Sequence, residues 1–256
     1  MVTRRSVLKL GLCGCAVCGL GEFGTGLSRA GADQRTDVFG KGYALHFLGA
    51  QRDTLMNGKL AASLDLRSLA DTSHLYGIGP IEDLRGEVKI VNSRPALARV
   101  DSNGVAKVQE SFAAGAPFFV WAEVPSWQTA PIPSHIRSYG DVEKFVPEAA
   151  AAAGLDPKQP LPFLVRGRIE AIEFHVLNRV GDEPHNAKKH RKMQAVFELA
   201  SVDAVMVGFY SPGARGVFTP MDSTIHIHFQ SVDNTISGHV QKLTIGKDVT
   251  LGFPST

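Results

Sequence analysis

Between residues 224 and 245 the chain alternates apolar residues with histidine and then turns back on itself. In Ile225-His226-Ile227-His228-Phe229 every second residue is apolar. Successive side chains of a strand point to opposite faces, so His226 and His228 share one face. The polar run Ser231-Val232-Asp233-Asn234-Thr235 follows, and Ile236 to Ile245 again reads as strand, so the simplest structure is a β-hairpin turning at Asp233-Asn234. That register sets residue 228 opposite His239, which follows Gly238. Directly opposed residues carry Cβ atoms roughly 5 Å apart, so three neutral imidazoles gather on one small face with a glycine leaving room beside them. A facial histidine set of this kind suits a metal ion, as in catalytic zinc centres that keep one position open for water or substrate. The bland alternative, three polar residues on a solvated sheet face, supplies no packing reason for them to converge.

The first residues run Met1-Val2-Thr3-Arg4-Arg5-Ser6-Val7-Leu8-Lys9, then an apolar, Gly-rich stretch to about Leu20 and a small-residue exit at Ala30-Gly31-Ala32. This reads as a twin-arginine export signal over residues 1–32, cleaved after Ala32, and implies a periplasmic or secreted protein. The apolar stretch is shorter than the ~20 residues of a spanning helix, so no membrane segment is expected in the mature chain. Lipid attachment at Cys15 of Leu12-Cys13-Gly14-Cys15 is the alternative. All three cysteines lie inside the signal, so the mature chain has neither a disulfide nor a thiolate ligand. Without it, 23 basic residues face 24 acidic ones, a net charge of −1. That balance lacks the clustered basic footprint of a nucleic-acid binder. The one dense basic run, Lys188-Lys189-His190-Arg191-Lys192, reads as a solvated loop or helix end.

The remaining chain reads as α+β (mixed α/β): two sheet-dominated lobes with few helices, the C-terminal one carrying the histidine hairpin. Helical pattern covers Thr54 to Ala61 and Leu64 to Ala70, followed by strand-like runs Leu75–Ile78, Glu87–Asn92, Arg94–Val100, Ala106–Glu110 and Phe118–Val124, separated by turn residues. Prolines crowd residues 125 to 162 around one helical stretch, Val142 to Ala153, which reads as the connection between lobes. Further strands are expected at Phe163–Ile172, Glu173–Asn178, Val196–Ala200 and Asp203–Tyr210, with Ser211 to Pro220 as a loop into the hairpin. The expected division is 1–32 signal, 33–158 N-terminal lobe with the connecting helix, and 159–256 C-terminal lobe.

A second constellation stands in the first half: Leu75-Tyr76-Gly77-Ile78-Gly79-Pro80-Ile81-Glu82-Asp83-Leu84-Arg85-Gly86-Glu87. It lacks the third glycine and following helix of a dinucleotide fingerprint. Together with the hairpin it resembles the α-acetolactate decarboxylase family, whose landmarks recur here in order: Gly77, Gly79, Leu84, Gly86 and Glu87; Arg168-Ile169-Glu170; Gly208-Phe209-Tyr210-Ser211-Pro212; then Pro220, His226, His228, Phe229, Gly238, His239 and Val240. The resemblance runs from about Leu55 to Val249. Pro80 replaces a family threonine, Ser237 a family glycine, and Leu251 to Thr256 lacks the carboxylate of the family's C-terminal tail.

The resemblance implies Zn2+ on His226, His228 and His239, with Glu87 as the acidic group at the metal and Arg168, or its neighbour Arg166, facing the substrate. It implies a carbon–carbon lyase that converts 2-acetolactate to acetoin and CO2, the cation acting as Lewis acid for the enediolate left when CO2 departs. Arg168 would bind the carboxylate, and Glu87 or Arg168, directly or through bound water, would deliver the proton, Glu87 being the more conventional acid. The implied partner is a small 2-hydroxy-3-oxo acid, and the implied assembly a homodimer. The alternative class is an exported metal-binding or small-acid-binding protein of the same fold without turnover.

Overall fold

The computed structural model describes residues 34–182 and 185–255; the expected export signal and its cysteines lie outside the described residues. The chain opens with an antiparallel hairpin, β1 (Thr36–Gly40) and β2 (Tyr43–Leu48), which the sequence reading had not identified. Helix α1 (Gln51–Asn57) comes next and stops at Gly58, whose left-handed φ of 64° ends it before the Ala61 expected from the pattern. The second expected helix is a short β3 (Leu64–Asp65) running into one 3₁₀ turn, Leu66–Leu69, capped by the Asp65 carboxylate on Arg67 N–H.

Strands β4 (Leu75–Pro80), β5 (Glu87–Val91), β6 (Arg94–Val100) and β7 (Ala106–Gln109) form a meander at the expected positions. β8 (Gly115–Ala116) pairs with β3, and β9 (Phe119–Glu123) inserts between β2 and β4. The result is a seven-stranded antiparallel sheet in the order β1-β2-β9-β4-β5-β6-β7. Alternation sorts its faces. Val88 and Ile90 of β5 join Leu66, Leu69, Leu97 and Trp121 in a core on one side, while Glu87 and Lys89, one residue out of phase, belong to the other.

The second sheet is built from β10 (Trp127–Pro131), β11 (Leu161–Leu177), β12 (Gln194–Tyr210), β13 (Ile225–Ser231), β14 (Ser237–Ile245) and β15 (Thr250–Pro254). Its order is β10-β15-β11-β12-β13-β14, and β14 returns to pair with β11, closing a four-stranded circuit. What read as two strands on each side of residues 172 and 201 is one seventeen-residue strand in each case; the chain passes Ser201 with a φ of 54° and the pairing continues. Between β10 and β11 lies α2 (Tyr139–Ala152). It begins three residues earlier than the apolar pattern suggested because Ser138 and Asp141 form a reciprocal capping box. A short α3 (Ala187–His190) sits in the β11–β12 connection.

One apolar core joins the two sheets, with Leu45, Tyr76, Ile78 and Val120 of the first packed against Phe163, Phe174, Phe209 and Phe229 of the second. β5 lies against both β13 and β14, and β6 and β7 also reach β14. Lys89 is fully buried, its Nζ has no hydrogen-bond partner among the described residues, and burial, reinforced by the Arg166 charge, pushes its ammonium well below the usual lysine range. The unfolded chain therefore binds a proton that the folded chain does not, and stability rises with pH from the depressed value up to the ordinary lysine range near ~10.4. Lys89→Met is expected to raise stability at pH 7 by roughly 1 to 3 kcal/mol, with the gain shrinking toward pH 10. Chemical denaturation of both proteins across that range checks it.

Candidate metal centre

The hairpin forms in the expected register, with His228 opposite His239 and Phe229 opposite Gly238. The neighbouring β12 aligns Phe209 with His226 and Val207 with His228. Ile225, Ile227 and Phe229 go to the apolar core, so the histidines take the opposite face. Gly238 is required by close approach: a Cβ there would stand 2.6 Å from Phe174 Cδ2 and 2.7 Å from the His175 carbonyl oxygen.

Two hydrogen bonds fix the ring orientations. His226 Nδ1–H donates to the Phe218 carbonyl at 2.7 Å, from the loop that precedes the hairpin. His228 Nδ1–H donates to the Val88 carbonyl at 2.8 Å, from β5 of the other sheet. A carbonyl only accepts, so each Nδ1 carries the proton and each Nε2 is bare. Those two Nε2 atoms nevertheless face each other at 3.0 Å, and His239 Nδ1 stands 3.0 Å from His226 Nε2. No proton lies between the two Nε2 atoms to join them; a cation would.

All three ligating nitrogens fall within 4.8 Å of one another. Tetrahedral zinc with bonds of about 2.0–2.1 Å separates its nitrogen ligands by roughly 3.3 Å, so the donor set fits a small divalent ion with little adjustment.

The site is buried but not closed. His226 and His228 are almost fully enclosed, whereas His239 shows one edge to a cleft of about 710 Å³. α1, α2 and the β11–β12 connection wall this cleft, through residues that include Thr54, Tyr139, His190 and Arg191. Glu87 opens β5 directly after Gly86 and is 2% exposed. Its Oε2 is 3.8 Å from His228 Nε2. Burial pushes its carboxyl well above the ordinary range, opposed by a hydrogen bond from the Leu177 backbone. Burial likewise pushes His226 down to about 4 and His228 and His239 well below the usual imidazole range, so all three are neutral at pH 7.

The structure thus brings Glu87, His226, His228 and His239 into one cleft. Arg168 is not among them. It is exposed on β11 and paired with Asp203 of β12 at 2.7 Å, seven residues and therefore about 23 Å of extended strand from His175, where β11 reaches the cleft. Arg166 is exposed as well. Three residues that sequence reasoning missed stand at the site instead. His175 is buried beside Glu87 and His239, and His190 and Arg191 line the cleft wall. Arg179, just past β11, is buried with its backbone N–H on the carbonyl of cleft-lining Leu84 and its guanidinium 3.9 Å from Asp83 and 4.0 Å from Asp182. The basic run does end a short helix with Lys188 exposed, as expected, but it also sets half-buried His190 and exposed Arg191 on the cleft wall.

The neutral imidazoles make a sign-definite expectation. Between about 4 and the ordinary value near ~6.5 the unfolded chain takes up protons that folded His226 does not. Stability without metal is therefore complete above that window and is lost as the pH falls through it. Affinity for Zn2+ is expected to hold from pH 8 to about pH 6 and to collapse toward pH 4. Competitive metal titrations at stepped pH check this, and an affinity that already falls between pH 8 and 7 would contradict it.

A family model described as alpha-acetolactate decarboxylase matches residues 47–255. The alpha-acetolactate decarboxylase of Brevibacillus brevis is 24% identical over 193 residues, covering 75% of this chain and 63% of that protein, so the match spans less than two thirds of the relative's length. The crystal structure of alpha-acetolactate decarboxylase from Bacillus subtilis strain 168 shares the fold, with a TM-score of 0.63 at 17% identity over 82% of this chain and 85% of that one. So does a Staphylococcus aureus protein described as similar to alpha-acetolactate decarboxylase, with a TM-score of 0.63 at 16% identity over 77% and 80% of the two chains. With a family model spanning most of its length and the fold to match, this chain belongs to the alpha-acetolactate decarboxylase family.

Proposed function

We propose that the cleft is the active site of a zinc-dependent lyase that decarboxylates 2-acetolactate to acetoin and CO2. The observation that carries this reading is the convergence of three neutral nitrogens, two of them held bare by backbone carbonyls, beside a buried carboxyl in an open cleft. Membership of the family supports the choice of substrate class. His226, His228 and His239 would hold the ion, which when bound supplies a Lewis acid for the negative charge left on substrate oxygens as the carboxylate departs.

The chain's own residues account for the rest. Burial favours the protonated form of Glu87, which sets a proton donor beside the reacting carbons. Loss of CO2 leaves the bonding electron pair on the substrate, and the Glu87 proton is available to the carbon that has lost its carboxylate. Arg191, on the cleft wall, is the guanidinium placed to meet a carboxylate, in place of Arg168.

Full-length protein loaded with Zn2+ is expected to convert racemic 2-acetolactate to acetoin with matching CO2 release, and His228→Ala to do neither. Equal acetoin from both proteins would overturn the assignment, while zinc binding without acetoin would leave a binding protein of this fold. Arg168→Gln is expected to leave kcat/KM unchanged. Arg191→Gln should raise KM by roughly ten- to a hundredfold if its guanidinium holds the carboxylate, the effect of losing about 1.5–3 kcal/mol in a charged hydrogen bond.

A further inference from the structure

No motif points to His175, yet the fold delivers it to the centre of the site. β11 and β14 pair in a register that jumps between Glu173 opposite Lys242 and Phe174 opposite Val240. The extra residue, Gln241, is a β-bulge on β14, and it brings His175 opposite His239 where an unbroken ladder would have set it opposite Val240. The two rings stack with centroids 4.5 Å apart and planes inclined by 29°. On its other side His175 Nε2 stands 3.5 Å from Glu87 Oε1. The side chain is 5% exposed and lines the cleft.

The polar atoms here are distributed unlike those of the other histidines. His226 and His228 each spend a nitrogen on a backbone carbonyl. His175 has no such tether, and its Nδ1 and Glu87 Oε1 are both buried without a hydrogen-bond partner among the described residues. Buried donors and acceptors are ordinarily paired. The one pairing the geometry offers Oε1 on this side is the imidazole across 3.5 Å, a separation of the kind that tightens when a ligand organises a catalytic site.

We infer that His175 is a positioning residue: its Nε2–H donates to Glu87 Oε1 and holds the carboxyl with Oε2 turned toward His228 and the metal ligands. The role of Glu87 in turnover rests on the function proposed above, whereas its orientation at the metal does not. A space-filling role is the competing account, and the two predict opposite orders among variants. Phe keeps a ring to stack on His239 but removes the donor. Gln gives up the ring and keeps an N–H near the Nε2 position.

The test uses the full-length protein and its His175→Phe, His175→Gln, Glu87→Gln and His175→Phe/Glu87→Gln variants, each loaded with Co2+ in place of Zn2+. The visible absorption of bound Co2+, its dissociation constant, and kcat and KM for acetoin formation are read for each. His175→Phe is expected to shift the Co2+ bands in the same direction as Glu87→Gln and to lower kcat by about 10- to 100-fold at unchanged KM, the usual scale for losing a partner behind a metal site. The double variant should lose no more than Glu87→Gln alone, and His175→Gln should keep most of the wild-type rate.

A His175→Phe protein that matches wild type while His175→Gln fails would overturn the inference in favour of packing. Independent, multiplicative losses in the double variant would overturn it too. If wild type makes no acetoin, the proposed reaction falls and the Co2+ spectra alone decide: unchanged bands in His175→Phe overturn the positioning role. Nitrogen-15 histidine NMR of otherwise wild-type protein needs no change at position 175. A protonated His175 Nε2 whose signal moves in Glu87→Gln is expected, and a bare Nε2 with the proton on Nδ1 would overturn the inference.

Discussion

The Nδ1–H groups of His226 and His228 donate to the carbonyls of Phe218 and Val88, and the rest of the site depends on that pair of bonds. They set both tautomers, leave both Nε2 atoms bare, and hold two lone pairs 3.0 Å apart where only a cation resolves the repulsion. One acceptor comes from the loop before the hairpin and the other from a different sheet. Metal-binding geometry in this protein is thus a tertiary property, since the hairpin alone supplies the nitrogens but not their orientation. β5 contributes twice, through the Val88 carbonyl and through the carboxyl of Glu87 one residue earlier.

The proline-rich connection supports β13 from behind. Tyr139, at the start of α2, donates its hydroxyl to the Ile225 carbonyl, and one Glu143 oxygen accepts from Thr224 N–H and from the hydroxyls of Thr224 and Ser223. These bonds pin the entry of β13 immediately before His226. Polar groups are therefore well satisfied around the hairpin. Buried exceptions nearby include Glu87 Oε1, His175 Nδ1 and Lys89 Nζ, on or facing β5, together with Thr219 Oγ1 in the loop before the hairpin and Gln51 Oε1 and His190 Nδ1 on the cleft wall. Unpaired polar atoms concentrated at a cleft are stability given up where chemistry needs it.

Local signals in the sequence carried the hairpin fully: period-two alternation fixed the face of His226 and His228, and the turn at Asp233-Asn234 fixed the pairing of His228 with His239. The meander from Leu75 to Gln109 was legible for the same reason. What failed needed information from far along the chain. β10 and β15 are strands because a distant edge receives them, and Trp127–Pro131 with its proline shows little intrinsic strand pattern. Arg168 aligned with a family landmark, but strand length carries it away from the cleft. His175 could not be found without knowing that β11 pairs with β14 through a bulge, a contact more than sixty residues distant in sequence. The placement of His190 and Arg191 on the cleft wall depends likewise on how the β11–β12 connection folds back over the cleft.

The central claim is that three nitrogens from one hairpin, oriented by two carbonyls outside it, bind a metal ion. Crystals of zinc-loaded protein, measured on either side of the zinc absorption edge, test it most directly. The account expects one strong anomalous peak bonded at about 2.0–2.1 Å to His226 Nε2, His228 Nε2 and His239 Nδ1, with Nδ1 of the first two still on the carbonyls of Phe218 and Val88. A map with no peak there, or a peak reached only after those two rings have turned away from their carbonyls, would contradict it.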